Sequence, residues 1–135
     1  MNKMQRQLIE FHDAMGHANN MSNPQAPLIV TPDLRIELIE EEVMKELIPA
    51  IRAGDMVHTI DGACDALYVI IGSMVAFGVD IEPFFDEVHR SNMAKIGGPV
   101  SLSGKKLKPL GWQPPRIAEM LQELRRQAIH TRIGV

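Results

Sequence analysis

The segment 40-EEEVMKELIPAIRAGDMVHTIDGACDALYVIIG-72 decides the fold of this chain. On both sides of its Ala53-Gly54-Asp55 turn, apolar residues recur at the spacing of an α-helix. Gly54 is a typical stop after a helix, and Asp55 is a typical N-cap for the next one. The segment therefore predicts two helices that run antiparallel from a tight turn.

Two pairs of carboxylates lie at matching distances from Gly54. The outer pair, Glu42 and Asp65, is twelve residues before it and eleven after it. The inner pair, Glu46 and Asp61, is eight residues before it and seven after it. In an antiparallel hairpin the members of each pair are level, and the two pairs are about 6 Å apart along the helix axis. The spacing therefore predicts a rectangle of four carboxylates.

Four like charges on facing helices repel one another and lose hydration, so this arrangement favours a bound cation. Oxygen ligands without a Cys or His set favour Mg²⁺, or Mn²⁺, over zinc. Glu41 is turned about 100° from Glu42 and is expected to reach a second metal or a water, whereas Glu40 is expected to face solvent. The alternative is a set of solvated charges, which the Glu run alone favours. Asp61 and Asp65 argue against it, because Asp is a poor helix former and both lie in the most apolar helix.

The whole sequence predicts an all-α fold, an antiparallel bundle of about five helices that is completed by oligomerisation. Strand-like alternation does not persist anywhere, and there is no internal repeat or low-complexity block. Pro49 is expected to bend or break the second helix unless the last turn of that helix is already irregular. The predicted helices cover residues 2–15, 32–53 behind an N-cap at Thr31, 56–77, 81–95 behind an N-cap at Asp80, and 114 onwards, with loops at 17–30 and 97–115.

Composition predicts one compact domain over residues 1–135, with 45% apolar and 23% charged residues. A net charge of -3 provides no basic field for a nucleic-acid polymer. Cys64 is the only cysteine, which fits a reducing cytoplasm, and its apolar neighbours predict a buried, inert thiol. The most apolar run, 66–79, is too short to span a bilayer and predicts a buried helix rather than a membrane anchor.

Five segments distributed over nearly the whole chain carry a further signal. They are FHDAMG (11–16), LIEEEVMKELIPAI (38–51), GDMVHTIDGACDALYVIIGSMVAFGVDI (54–81), EVHRSNMAKIGG (87–98) and GKKLKPLGWQPPRI (104–117). In combination they resemble the all-α nucleoside-triphosphate pyrophosphohydrolases of the MazG-like and phosphoribosyl-ATP-pyrophosphohydrolase-like group. Each segment alone is weak, and the combination is specific.

That resemblance implies a dimeric or tetrameric helical bundle in which acidic residues on two helices hold Mg²⁺. It also implies cleavage between the α and β phosphates of a nucleotide, with release of pyrophosphate. The family pairs its acids at i and i+3, and this chain departs from that spacing on both helices. Lys45 lies three residues after Glu42, and Gly62 lies three residues before Asp65. Glu42 and Asp65 are the closest matches to the family motif.

The resemblance assigns phosphate or substrate contacts to Asn92 and Lys95, with Arg90 in the same region of the helix. A second interpretation of Arg90 and Lys95 is that they are surface cations favoured near a helix C-terminus. Trp112 is expected to anchor its loop rather than to stack on a base. His12 is a candidate for a base pocket, and the five histidines are not expected to cluster.

The sequence thus predicts a Mg²⁺-dependent nucleoside-triphosphate pyrophosphohydrolase that cleaves the α–β phosphoanhydride. The candidate catalytic residues are Glu41, Glu42 and Glu46, the candidate metal ligands are Glu42, Glu46, Asp61 and Asp65, and the candidate substrate contacts are Arg90, Asn92 and Lys95. Two alternatives stay open: phosphoribosyl-ATP or a modified nucleotide as the substrate, and a non-catalytic helical module that binds nucleotides or oligomerises. The expected protein is a cytoplasmic homodimer or homotetramer with a small-molecule ligand and neither a nucleic-acid polymer nor a membrane as partner.

Overall fold

A computed structural model describes residues 1–26, 30 and 32–134, which are largely helical and contain no strand beyond an isolated bridge between Val100 and Lys106. The helices are α1 (Lys3–Met15), α2 (Pro32–Ile39), a π-helical segment (Glu40–Leu47), α3 (Ile48–Ala53), α4 (Met56–Phe77), α5 (Ile81–Met93) and α6 (Ile117–Ile133). Since α2, the π segment and α3 follow one another directly, they form one rod. The predicted all-α fold with about five helices is confirmed, and oligomerisation stays a prediction.

The ends of the first helices follow the capping signals in the sequence. The Asn2 side chain accepts a hydrogen bond of 2.9 Å from a backbone N–H in the first turn of α1, and Gly16, at φ 67°, ends that helix. Asp55 caps α4 in the same way, at 3.1 Å. Gly54, at φ 69°, ends α3. The N-cap predicted at Thr31 lies outside the described residues.

Two boundaries differ from the sequence prediction by more than one residue. α6 begins at Ile117 rather than at Pro114. A proline disfavours the helical conformation in the residue before it, so Pro115 keeps Pro114 outside the helix. α5 ends at Met93, and Lys95 lies in the turns that follow.

Pro49 does not interrupt the rod formed by α2, the π segment and α3, which stays helical from Pro32 to Ala53. The expected break is absent, and the last turns, Ile48–Ala53, are α-helical rather than irregular. The irregular part of the helix is the π segment directly before Pro49, in which the N–H of Ile48 bonds the carbonyl of Val43. Proline lacks an N–H and crowds the carbonyl one α-turn earlier, so a change of winding just ahead of Pro49 relieves that contact.

The chain divides into two compact units, Met1–Ile81 and Glu82–Val135, and each is described by itself. The single domain expected over residues 1–135 stays a prediction. In the first unit α4 packs against α1 and the π segment. The core there is formed by Leu8, Ile71 and Val75.

α4 has the length and composition of a membrane span, with 22 residues and a mean hydropathy of 1.6 over its most apolar window. Of that window, 39% is buried inside the protein. Asp61 and Asp65 also lie in this helix, and carboxylates are costly in hydrocarbon. We therefore interpret α4 as a core helix of the first unit.

Cys64 is exposed, so the expectation of a buried thiol is wrong. The buried stripe on this half of α4 runs through Gly62 and Ala66. Cys64 is two residues from each of them, which places it about 200° around the helix, on the opposite side. Apolar neighbours in the sequence did not reveal this, because much of α4 is apolar on its exposed face as well.

Candidate functional site

The π segment and α4 come into backbone contact at Leu47 and Gly62. A Cβ atom added to Gly62 would lie 3.1 Å from both the Cα and the N of Leu47, so glycine is what permits this approach. Leu47 follows Glu46 in the chain, and Gly62 follows Asp61. Because the two helices run in opposite directions from the turn at Gly54, this contact places Glu46 and Asp61 within about 3 Å of the same level along the helix axis. The pairing of individual carboxylates stays a prediction.

Glu42 carries the clearest electrostatic signal of the site. Its side chain is partly buried, and its pKa is raised above the ordinary value of 4.5, first by burial. The negative charges of Asp65, Glu41, Glu46 and Asp61 raise it further, in that order. Of the five acids that the sequence proposes as catalytic or metal-binding residues, the four besides Glu42 thus lie close enough to raise its pKa.

These acids are close enough to repel one another, but their side chains do not form a compact metal-binding group. Glu41, Glu46, Asp61 and Asp65 are exposed. Within the described residues, no group of three or more His, Cys, Asp or Glu side chains is arranged to hold a metal ion. The donor chemistry still fits Mg²⁺, because carboxylate oxygens are its preferred ligands and a cation would offset the repulsion that raises the pKa of Glu42. The assignment of individual ligands stays a prediction.

The π segment explains why Glu42 and Glu46 are four residues apart, where the family motif has acids three apart. π-helical turns are rare and frequently lie at functional sites. Their i to i+5 hydrogen bonds add about one residue to each turn. Residues four apart in a π-helix therefore point in nearly the same relative directions around the axis as residues three apart in an α-helix. Glu42 and Glu46 are four apart within this segment. Asp61 and Asp65 are four apart on a regular α-helix, where such a pair shares one face.

His58 is a neighbour of the acids that the sequence analysis does not assign to the site. Its Nδ1 lies 2.7 Å from Oδ2 of Asp55. Its pKa is raised, first by that hydrogen bond and then by the Asp55 charge, with further contributions from Asp61 and Glu46. The Asp-x-x-His spacing at the start of α4 is the sequence signal that could have identified it.

A pocket of about 200 Å³ lies beside α1, α2 and α4 in the same unit. His12 is buried and lines it, and its role in a base pocket stays a prediction. His17 lines it too, and its ring centroid lies 5.5 Å from that of His12. Gly16 reverses the chain at the end of α1, and the N–H of His17 then bonds the His12 carbonyl at 2.8 Å.

The predicted substrate contacts lie in the second unit, and their described partners lie there too. Arg90 donates two hydrogen bonds of 2.8 Å to the carboxylate of Glu87. The Nζ of Lys95 donates to Oδ1 of Asn92 at 2.8 Å. Arg90 is thus held in an ion pair, whereas Asn92 and Lys95 lie side by side as a pair of polar groups. Contact with a substrate stays a prediction for all three residues.

Glu87 is a buried acid that the sequence analysis missed. Its pKa is lowered to about 2, first by the hydrogen bonds from Arg90 and then by the backbone N–H of Arg116, which donates at 3.0 Å. These bonds tie α5 to the residue before α6. In the same unit, Nε1 of Trp112 donates to the carbonyl of Ser91 at 2.8 Å, which confirms that Trp112 anchors its loop.

Comparison with known proteins identifies the same family as the motifs do. The family model for phosphoribosyl-ATP pyrophosphohydrolase matches residues 8–92, more than half of the chain. The match confirms the resemblance and contains every candidate site residue except Lys95. No curated protein is significantly similar to this chain.

Proposed function

Because the chain belongs to the phosphoribosyl-ATP pyrophosphohydrolase family, and is therefore a hydrolase of acid anhydrides, we propose that it cleaves the α–β phosphoanhydride of a nucleoside triphosphate. The products are the nucleoside monophosphate and pyrophosphate. The observation that carries this proposal is the match to this family over residues 8–92; beside it, burial and then the charges of four neighbouring acids raise the pKa of Glu42. An anionic triphosphate cannot approach such a group without a cation, so we propose that the reaction requires Mg²⁺ or Mn²⁺.

Two pairs of acids are assigned to hold the cation. They are Glu42 with Asp65 and Glu46 with Asp61, on the π segment and α4. When bound, Mg²⁺ neutralises phosphate oxygens and makes a water more acidic. The contact between Leu47 and Gly62 holds the two helix backbones from which these acids project close together.

A carboxylate at the edge of this group receives the proton of the attacking water. The water oxygen bonds to the α phosphorus, the bond from that phosphorus to the bridging oxygen breaks, and pyrophosphate leaves with the electron pair. Glu41 is exposed and adjoins Glu42, and Glu46 is exposed one turn further along. We assign the general base to one of these two residues, because Glu42 is the better placed of the three to bind the cation. Asn92 and Lys95, which lie together in the second unit, stay candidates for phosphate contacts on the resemblance alone.

A second copy of the chain is expected to cover the start of α4. There Met56, Val57 and Ile60 are 70%, 75% and 58% exposed. Large apolar side chains at neighbouring positions form a patch that a symmetric partner can bury. We therefore propose a homo-oligomer. We place it in the cytoplasm, where the exposed thiol of Cys64 stays reduced.

Pyrophosphate release tests the proposed reaction. A panel of nucleoside triphosphates, together with phosphoribosyl-ATP, is incubated with the protein and Mg²⁺, and the products are identified by phosphorus NMR. Glu42→Gln and Asp65→Asn are expected to abolish release, whereas Glu40→Gln, a matched change at an exposed neighbour, is expected to retain it. Tight nucleotide binding without turnover would instead identify a non-catalytic module. Release of orthophosphate would contradict cleavage between the α and β phosphates.

A further inference from the structure

Two basic side chains meet in the interior of the first unit. His12, near the end of α1, is 2% exposed, and Arg35, on α2, is 6% exposed. A Cβ atom added to Gly72 of α4 would lie 2.9 Å from Nε2 of His12 and 3.5 Å from Nη1 of Arg35. Both nitrogens thus lie within 3.5 Å of one point, at which α1, α2 and α4 come together.

One nitrogen of the His12 ring is hydrogen-bonded, and the other faces groups that do not accept hydrogen bonds. Nδ1 lies 2.7 Å from the carbonyl oxygen of Ala18, so Nδ1 carries a hydrogen and donates it. The side chains nearest to the point above Gly72, besides His12 itself, are those of Arg35 and Leu8. Leucine is apolar, and a guanidinium only donates. The site therefore fits the neutral ring, and a proton on Nε2 would meet a buried cation without an acceptor.

The charges that face His12 mostly oppose its protonation. Its pKa is lowered below 6.5, first by burial, while the hydrogen bond to a backbone carbonyl raises it. Arg35 from α2 and His17 from the segment after α1 lower it further, and Asp13 on α1 itself raises it least. Tyr68 of α4 lines the same pocket. No acid of the described residues pairs with Arg35, whose own pKa is lowered by burial alone, so the positive charge beside His12 is not neutralised.

We propose that His12 and Arg35 form a pH-sensitive contact, which holds α1 against α2 and α4 while His12 is neutral and is released when acid protonates Nε2. Since His12 donates to Ala18, release begins in the segment that follows α1. Arg35 lies on α2, which continues directly into the π segment. On the proposed function, on which only this consequence rests, turnover falls in mild acid because the rod that carries Glu42 and Glu46 loses a support.

The direction of the pH dependence follows from the neighbours of His12. In the unfolded chain this residue titrates at its ordinary pKa of 6.5, and the folded protein binds the proton less tightly. Its contribution to stability is therefore complete above pH 6.5 and is lost as pH falls from 6.5 toward the folded pKa. Unfolding takes up one proton over that interval, so the unfolding equilibrium constant should rise by about tenfold per pH unit.

Urea unfolding of wild type and His12→Asn between about pH 5 and pH 8 tests the contact. The asparagine amide can replace Nδ1 as the donor to Ala18, but it does not titrate. Relative to wild type, His12→Asn is expected to lose the tenfold rise per pH unit below 6.5. His89→Asn, at an exposed position on α5, is the control and should keep the wild-type dependence. Equal pH dependence in wild type and His12→Asn would overturn the proposal.

Two further measurements apply even if His12→Asn does not fold. Arg35→Lys keeps a positive charge and is expected to keep the pH dependence, whereas Arg35→Met is expected to reduce it. Nuclear magnetic resonance of the His12 ring in wild type should show a titration midpoint below 6.5. A midpoint at or above 6.5 would overturn the proposal, and so would an unchanged dependence in Arg35→Met.

Pyrophosphate release over the same pH range separates this proposal from the proposed reaction. With Mg²⁺ and a nucleoside triphosphate, the turnover of wild type relative to His12→Asn is expected to fall as pH drops below 6.5. Turnover together with equal pH dependence of unfolding in the two proteins would refute the contact alone. A pH dependence of unfolding that disappears in His12→Asn, without turnover at any pH, would refute the proposed reaction and leave the contact in place.

Discussion

Replacement of Glu42 by Gln is expected to stabilise the cation-free protein at pH 7. The change preserves the size of the side chain and removes one of five mutually repelling charges. The i, i+4 pair with Glu46 costs about 0.2–0.5 kcal/mol by itself, and repulsion from Asp65 and Asp61 on α4 brings the expected gain to about 0.5–1 kcal/mol. For a chain of this length that gain corresponds to a rise of about 2–5 °C in Tm.

The gain should depend on pH in a defined direction. The pKa of Glu42 in the folded protein is raised above 4.5, so the folded state binds the proton more tightly than the unfolded state does. The cost of burying this charge and of its repulsion is therefore present in full at pH values above the folded pKa and disappears as pH falls below 4.5. Glu42→Gln should exceed wild type in stability at pH 7 and match it in acid.

Thermal unfolding followed by circular dichroism measures both effects in EDTA. Glu40→Gln is the control and should change Tm less. It removes the same charge at an exposed neighbour that is not among the acids that raise the pKa of Glu42. Addition of Mg²⁺ should raise the Tm of wild type and have little effect on Glu42→Gln, because the cation stabilises only a state that binds it. A lower Tm for Glu42→Gln at pH 7 in EDTA, or an equal gain in the control, would refute this reasoning.

Three further predictions concern the scaffold. Gly78→Ala is expected to destabilise by about 3 kcal/mol or more, since φ is 78° and the new Cβ would lie 2.1 Å from the carbonyl oxygen of Asn20. A loss below about 1 kcal/mol in urea unfolding would contradict this. Gly62→Ala is expected to cost about 1 kcal/mol net, because crowding against Leu47 exceeds the gain in helix propensity. A stabilised variant in the same assay would show that the two helices can separate freely. The stability of wild type should fall as pH drops from 4.5 toward about 2, because Glu87 becomes protonated over that range. Glu87→Gln has no carboxylate at this position and should not show this fall. Parallel stability curves for the two proteins over that range would count against the ion pairs described here.

Local signals explain why most of the fold could be predicted. Gly16, Gly54 and Gly78 each adopt a positive φ at the end of a helix, and Asn2 and Asp55 each cap the start of one. Such signals act over a few residues, so the sequence alone reveals them. The π segment could not be predicted, because it differs from an α-helix in its hydrogen bonds and not in its pattern of apolar residues.

The carboxylate group could be predicted because its geometry depends on counting residues from one turn. Exposure of Cys64 and burial of Arg35 depend instead on which face of a helix meets its neighbours. α4 is apolar on more than one face, so periodicity does not distinguish the buried stripe from the exposed one. Arg35 is buried by packing with residues distant in sequence, such as His12, and the local pattern of α2 contains no sign of that contact.

Titration of the protein with Mn²⁺, followed by electron paramagnetic resonance of the free ion, tests the central claim most directly. Wild type is expected to bind the ion, and Glu42→Gln and Asp65→Asn are each expected to weaken that binding by about tenfold or more, whereas Glu40→Gln retains it. Equal affinity in all four proteins, or no binding by wild type in the presence of nucleotide, would contradict the assignment of these carboxylates as the site of a catalytic cation.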